Sequence, residues 1–98
     1  MRGRPPIGDR VGAVLSAEGD TVNLLGYGIY AGDEPVAPEA GGFNFGQRNP
    51  KLVLDNGDVV WGCECWWGPE NIIKEVVAKY PTVITVLISE VRQGANQA

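Results

Sequence analysis

Apolar and polar positions alternate over residues 10–17, with Val11, Ala13 and Leu15 on one side of an extended chain and Val14 on the other, which predicts a strand. A turn at Glu18-Gly19-Asp20 and a second apolar run, Val22, Leu24 and Leu25, predict that the chain folds back as a hairpin whose second arm spans residues 21–30. Gly26 and Gly28 interrupt that arm, as glycines do at a bulge or where another backbone or a ligand comes close. Tyr27 and Tyr30 are expected to pack outward or to line a stacking wall. Residues 33–49 contain Pro35, Pro38, Gly41, Gly42 and Gly46 and predict a long loop, carrying Phe43, Phe45 and Arg48 as anchors or as a lid. Two β-rich runs at residues 51–55 and 58–66 flank Asn56-Gly57, the pair favoured where a type I′ turn needs positive φ at both central residues. Alternation along the second run would put Trp61, Cys63 and Cys65 on one face and Val60, Gly62, Glu64 and Trp66 on the other.

The period then changes. Gly68-Pro69-Glu70 opens a helix, with proline in the first turn and a carboxylate at the positive end of the dipole. Ile72, Ile73, Val76, Val77 and Tyr80 make one apolar stripe, and Glu70–Lys74 and Glu75–Lys79 are four apart on the exposed side. Pro81 ends the helix. Residues 82–91 are dense in β-branched side chains with apolar residues at both parities, the pattern of a strand covered on both faces, either central in a sheet or at a subunit interface. The fold class is therefore α+β: a small antiparallel β-sheet, one principal helix at about residues 69–80, and a further C-terminal strand. Residues 1–8 read as a flexible basic arm that is either solvated or closes over a neighbouring subunit or an anionic ligand. Residues 9–93 read as one ligand-binding domain, and residues 94–98 as a disordered tail.

Composition narrows the function. Eight basic residues against twelve acidic ones give a formal charge of -4, a poor footprint for duplex nucleic acid and too mild for a DNA mimic. A small anionic ligand needs only one or two well-placed arginines. No run approaches the ~20 apolar residues of a membrane helix. The start of the chain only weakly imitates a signal peptide, since Asp9 and Arg10 break the apolar run. No export is expected, and Cys63 and Cys65 are expected to stay thiols. The chain has no histidine, which removes the commonest general base, the usual triads and most zinc sites. Cys63 and Cys65 stand too close on one strand to bridge without strain and have too few partners to hold a metal. Glu64 is expected to pair with a cation on a neighbouring strand and Glu70 to cap the helix, so neither a catalytic residue nor a cofactor is expected. Binding is better supplied. Trp61, Trp66, Trp67, Phe43 and Phe45 offer aromatic planes, Asn44, Asn49 and Asn71 amides, and Arg10, Arg48 and Arg92 charge, the set a nucleotide-like ligand requires.

Three motifs carry a resemblance: Gly26-Tyr27-Gly28-Ile29-Tyr30-Ala31-Gly32-Asp33, Asn49-Pro50-Lys51-Leu52-Val53-Leu54-Asp55-Asn56-Gly57, and Trp61-Gly62-Cys63-Glu64-Cys65-Trp66-Trp67-Gly68-Pro69-Glu70. Together they resemble the first-described phage Thoeris anti-defence family, over residues 10–80. The resemblance implies a sponge that binds cyclic ADP-ribose isomers, the signal nucleotides of bacterial TIR-domain immune sensors, and with them other cyclic nucleotides. It implies binding at subunit interfaces of a homo-oligomer, a dimer or hexamer, without cleavage, in the cytoplasm of the infected bacterial host. It implies a ring against adenine, an asparagine, and arginines at the phosphates. The positions that answer to these are Trp61 or Phe43 for the ring, Asn71 for the amide, and Arg92 and Arg48 for charge. The alternative expectation is a phage inhibitor that sets the tryptophan face against a host defence protein.

Overall fold

The computed structural model describes residues 4–41 and 46–96. Strand β1 (Arg10–Glu18) and strand β2 (Thr21–Pro35) form the predicted antiparallel hairpin, Glu18 standing opposite Thr21. Strand β3 (Arg48–Leu54) pairs with the second half of β2, and β4 (Val59–Trp61) pairs with β3. Strand β5 (Trp66–Pro69) returns to the far side of β1, so the sheet runs β4-β3-β2-β1-β5. Strand β6 (Thr82–Thr85) lies parallel to residues 21–24 of β2, in line with β3. A one-turn helix, α1 (Pro38–Gly41), follows β2. Helix α2 (Glu70–Val77) follows β5, and helix α3 (Ile88–Asn96) follows β6. The antiparallel sheet with its helices is the α+β class that the periodicities predict.

Each face of the sheet is covered by one of the two longer helices. On one face Val11, Ala13, Leu25, Leu52, Leu54 and Val60 meet Ile88 of α3; on the other Val14, Val22 and Leu24 meet Ile73 of α2. Ile73 and Leu52 are fully enclosed, and each such side chain contributes roughly 1.5–3 kcal/mol. A register shift between Ala13 and Val14 separates the two sets along β1. Gly28 has the closest backbone contact of the sheet: a Cβ there would lie 2.0 Å from the Val53 carbonyl oxygen and 2.6 Å from the Leu54 Cα. That is the close approach of another backbone that a strand glycine signals.

Several expectations are corrected. The chain is regular at both ends of residues 33–49, because Pro35 ends β2 where its missing N–H costs no ladder bond, and Pro38 occupies the first turn of α1. At the β3–β4 turn only Gly57 takes positive φ, +95°, so the turn is not type I′. Asn56 stays at negative φ and its Oδ1 accepts the Asp58 N–H at 2.8 Å, the local bond that asparagine makes in turns. The run 58–66 is not one strand. A 3-10 turn at Gly62–Glu64 divides it, with the Glu64 carboxylate accepting the Trp61 N–H at 3.0 Å, so Cys63 and Cys65 do not continue the Trp61 face. The further C-terminal strand is present as β6, but it is shorter than residues 82–91 and is not covered on both faces. Only residues 82–85 are extended, all four are exposed, and Ile88 and Val91 reach the core as neighbours on a helix face. Helix α3 extends to Asn96 where a tail was expected. The arm is docked from Arg4 onward, with the Gly8 N–H donating to the Tyr30 carbonyl at 2.7 Å and the Tyr30 N–H to that of Asp9 at 3.0 Å.

Candidate functional site

The three tryptophans have separate environments. Trp61 on β4 is 4% exposed and presents no plane to a ligand, which corrects the expectation that it stacks on a base. Its burial follows from its place on β4, opposite Lys51 of β3 and ahead of the 3-10 turn. Alternation along β5 then sends the next two indoles to opposite faces. Trp67, opposite Ala13, stacks on Tyr30 with centroids 5.6 Å apart and planes 13° from parallel. This pairing also corrects the outward Tyr30, which is buried. Trp66, opposite Val14, is 54% exposed. Phe43, the other ring expected to stack, lies outside the described residues, as do Asn44 and Phe45.

Asn71 is exposed in the first turn of α2, the element that follows β5. Its neighbour Glu70 is engaged elsewhere. The Glu70 carboxylate receives Arg10 Nε at 3.1 Å and Lys74 Nζ at 3.3 Å, while Arg10 grips Asp55 in a two-pronged bond, both contacts 2.7 Å. Arg10 is therefore spent inside the molecule, holding the start of β1, the β3–β4 turn and the start of α2 together. Its guanidinium holds the Asp55 carboxyl below the usual range, and Arg10 and then Lys74 do the same for Glu70. Depressed carboxyl pKa values stabilise the fold above the unfolded value, and that contribution is lost as pH falls through the folded one. Thermal melts are expected to fall steeply below about pH 4, and Arg10→Ala is expected to flatten that fall. An unchanged acid limb would exclude this network as its source. The Glu75–Lys79 pair is not among the ion pairs of the described residues.

Arg92 is placed on α3 and turned inward. It donates to both Glu64 oxygens, at 2.9 and 2.8 Å, and to the Val59 carbonyl at 3.0 Å. The cation for Glu64 thus comes from the C-terminal helix instead of a neighbouring strand, and the expected phosphate ligand is in the fold's own ion pair. Arg48 is exposed at the start of β3 and donates to the Asp33 carbonyl. The Asp33 carboxylate accepts from the Tyr30 hydroxyl and from Arg4 Nε at 3.3 Å.

Within one chain, then, the expected contacts are not gathered at one point. The plane and amide lie at the β5 edge and on α2, and Arg48 lies on β3, three strands away and at the other end of β2, since Trp66 stands opposite Val14 and through it Leu24 while Arg48 stands opposite Pro35. The ring that the structure exposes is Trp66, which the sequence offered among the planes without setting it against a base. The 3-10 turn after Trp61 leaves no mark in the alternation, which puts Trp61 and Trp66 on opposite faces without saying which is buried.

Neither thiol is poised for chemistry. Burial first, and then the Glu64 charge, pushes the Cys65 thiol up to about 12, and the same two causes raise Cys63. Among the described residues no group of three or more histidine, cysteine or acidic side chains could hold a metal ion, and no helix is long and apolar enough to cross a membrane. Comparison with protein-family models, with curated proteins and with solved structures finds no match to this chain.

Proposed function

We propose that the chain is an anti-defence sponge: a phage protein that binds cyclic ADP-ribose isomers in the cytoplasm of its bacterial host and holds them intact. The observation that carries the reading is the exposure of Trp66. Of the three indoles in the motif it alone presents most of its plane, on an edge strand directly before the helix that exposes Asn71. A ring for the base and an amide for its edge are what an adenine requires. Arg48 supplies charge at the opposite end of the sheet, so in this reading the ligand is held between two copies, each giving one part. Sequestration is favoured over cleavage because the groups that could attack or move a proton are occupied. Both thiols are raised away from neutrality, Glu64 is tied to Arg92, and Glu70 to Arg10.

The test is retention and release. Purified protein is incubated with cyclic ADP-ribose isomers, filtered and heated, and the released material is weighed by mass spectrometry. Loss from the filtrate and return at unchanged mass is the expected result. Trp66→Ala is expected to weaken retention about tenfold to a hundredfold, the range of one lost stacking contact, while leaving the melting temperature near that of the parent because the ring is exposed. A product of altered mass would make the chain an enzyme. A ligand that never leaves the filtrate would end the nucleotide reading, and a stoichiometric host protein captured through Trp66 would replace it.

A further inference from the structure

We propose that Asn56 is a self-modification site: in the folded protein the Gly57 backbone nitrogen attacks the Asn56 side-chain amide, and water then leaves aspartate or isoaspartate at that position. The chain has six asparagines, and Asn56 is the one followed by glycine. The others stand before leucine, phenylalanine, proline, isoleucine or glutamine. A side chain on the following residue hinders the attack, and proline has no N–H to lose.

The turn presents the reacting groups to each other. Asp55-Asn56-Gly57 is the three-residue loop of the β3–β4 hairpin, closed by the Leu54 N–H donating to the Asp58 carbonyl at 2.8 Å. Asn56 and Gly57 are both exposed, and nothing lies within 4 Å of the point where a Gly57 Cβ would stand, so water and hydroxide reach the reacting atoms. Asp58 holds the Asn56 amide by both of its polar atoms. Oδ1 accepts the Asp58 N–H at 2.8 Å, and Nδ2 donates to the Asp58 carboxylate at 3.2 Å. The first of these bonds folds the amide over the backbone of residue 57. It also sets an N–H donor where the amide oxygen gains negative charge under attack. One contact opposes the reaction: the Gly57 N–H donates to the Leu54 carbonyl at 2.9 Å. The step therefore proceeds when that bond opens, and bonds of exposed turns are among the first to open.

The Gly57 nitrogen loses its proton to hydroxide and bonds to Cγ. The Cγ–Nδ2 bond breaks, and the amide takes a proton from water and leaves as ammonia. Water opens the cyclic imide, its oxygen bonding to a carbonyl carbon and its proton returning to the Gly57 nitrogen. Opening at Cγ gives aspartate. Opening at the main-chain carbonyl gives isoaspartate, which routes the backbone through Cβ and Cγ and lengthens it. Asp55, the residue before, is gripped by Arg10, which also bonds Glu70 at the head of α2. A lengthened loop displaces Asp55 relative to Asp58, so isoaspartate loosens the Arg10 clamp and aspartate does not.

The full chain is held folded at mildly alkaline pH, and its peptides are mapped by mass beside those of a sample held in urea. The expected result is conversion of Asn56 in the folded chain, with both products resolved and the other asparagines intact. The isoaspartate form is expected to melt below the parent and to show the flattened acid limb of Arg10→Ala, while Asn56→Asp melts near the parent. Conversion of Asn56 in urea but not in the folded chain, or comparable conversion at another asparagine, would overturn the site. An isoaspartate form that melts with the parent would overturn its effect on the clamp. The chemistry needs no ligand, so its outcome is independent of the sponge reading.

Discussion

Gly28→Ala is expected to prevent the chain from folding. A methyl group at that position would stand 2.0 Å from the Val53 carbonyl oxygen and 2.6 Å from the Leu54 Cα, and both are backbone atoms of the paired strand. No rotamer change relieves such a contact, so β2 and β3 would have to separate where Gly28 stands opposite Leu54. Leu54 is in the core, and separation there opens the centre of the sheet. A cost of about 4 kcal/mol or more belongs to this kind of steric strain, a large share of the about 5–15 kcal/mol that holds a small domain. The measurement is the yield of soluble protein and, where any is obtained, its urea midpoint. Gly94→Ala is the control: it sits on α3 with open space around it, so alanine there is expected to be neutral or to stabilise by up to about 1 kcal/mol. Comparable losses in both variants would mean that close strand approach at Gly28 is not what excludes a side chain.

Glu64→Ala is expected to be the most damaging change among the charged residues. Glu64 and Arg92 have side chains only 12% and 20% exposed, so the pair is largely removed from water. Removing the carboxylate takes away the two charged bonds that Arg92 makes to Glu64 and the acceptor of the Trp61 N–H. Losing one member of such a pair costs about 2–4 kcal/mol, measurable by urea denaturation. Hydrogen exchange is expected to show α3 opening first, since Arg92 ties it to Val59 and to the 3-10 turn. The double replacement Glu64→Leu with Arg92→Leu is expected to recover part of the loss, because no uncompensated charge remains. A Glu64→Ala variant within about 0.5 kcal/mol of the parent, the range of an ordinary surface change, would show that α3 does not depend on the Glu64–Arg92 pair.

Local patterns made the first hairpin, the β3–β4 hairpin and α2 legible, because each depends on neighbours in sequence. Gly19-Asp20 and Gly57 turn the chain, and Ile73 turns inward on a helical period. Three elements were not legible, and each depends on a distant partner. The 3-10 turn exists because Glu64, held from residue 92, reaches back to the Trp61 N–H. Ile88 and Val91 are strand formers by composition, and a helix results because the core of the sheet accepts them three apart. The arm carries prolines and arginines and reads as solvated, yet backbone bonds to Tyr30 dock it. The candidate site followed the same rule. An exposed amide and an exposed arginine stand at Asn71 and Arg48, but which of the two tryptophan faces is buried depends on packing within the sheet, and Arg92 was claimed by a carboxylate 28 positions away.

The placement of β5 and β6 bears on the order in which the molecule assembles. β1 and β2 lie side by side in the middle of the sheet, yet their outer neighbours come from late in the chain: β5 closes on β1 by pairing Val11 with Pro69, and β6 closes on β2 by pairing Thr21 with Thr82. The β1–β2 and β3–β4 hairpins can form as soon as they leave the ribosome, since their loops are short, while the β5 and β6 pairings must wait for large loops to close. Until then the β1 edge, with Val11 and Val14, stands open to other chains. Any delay between the emergence of β1 and that of β5 would prolong that exposed stage.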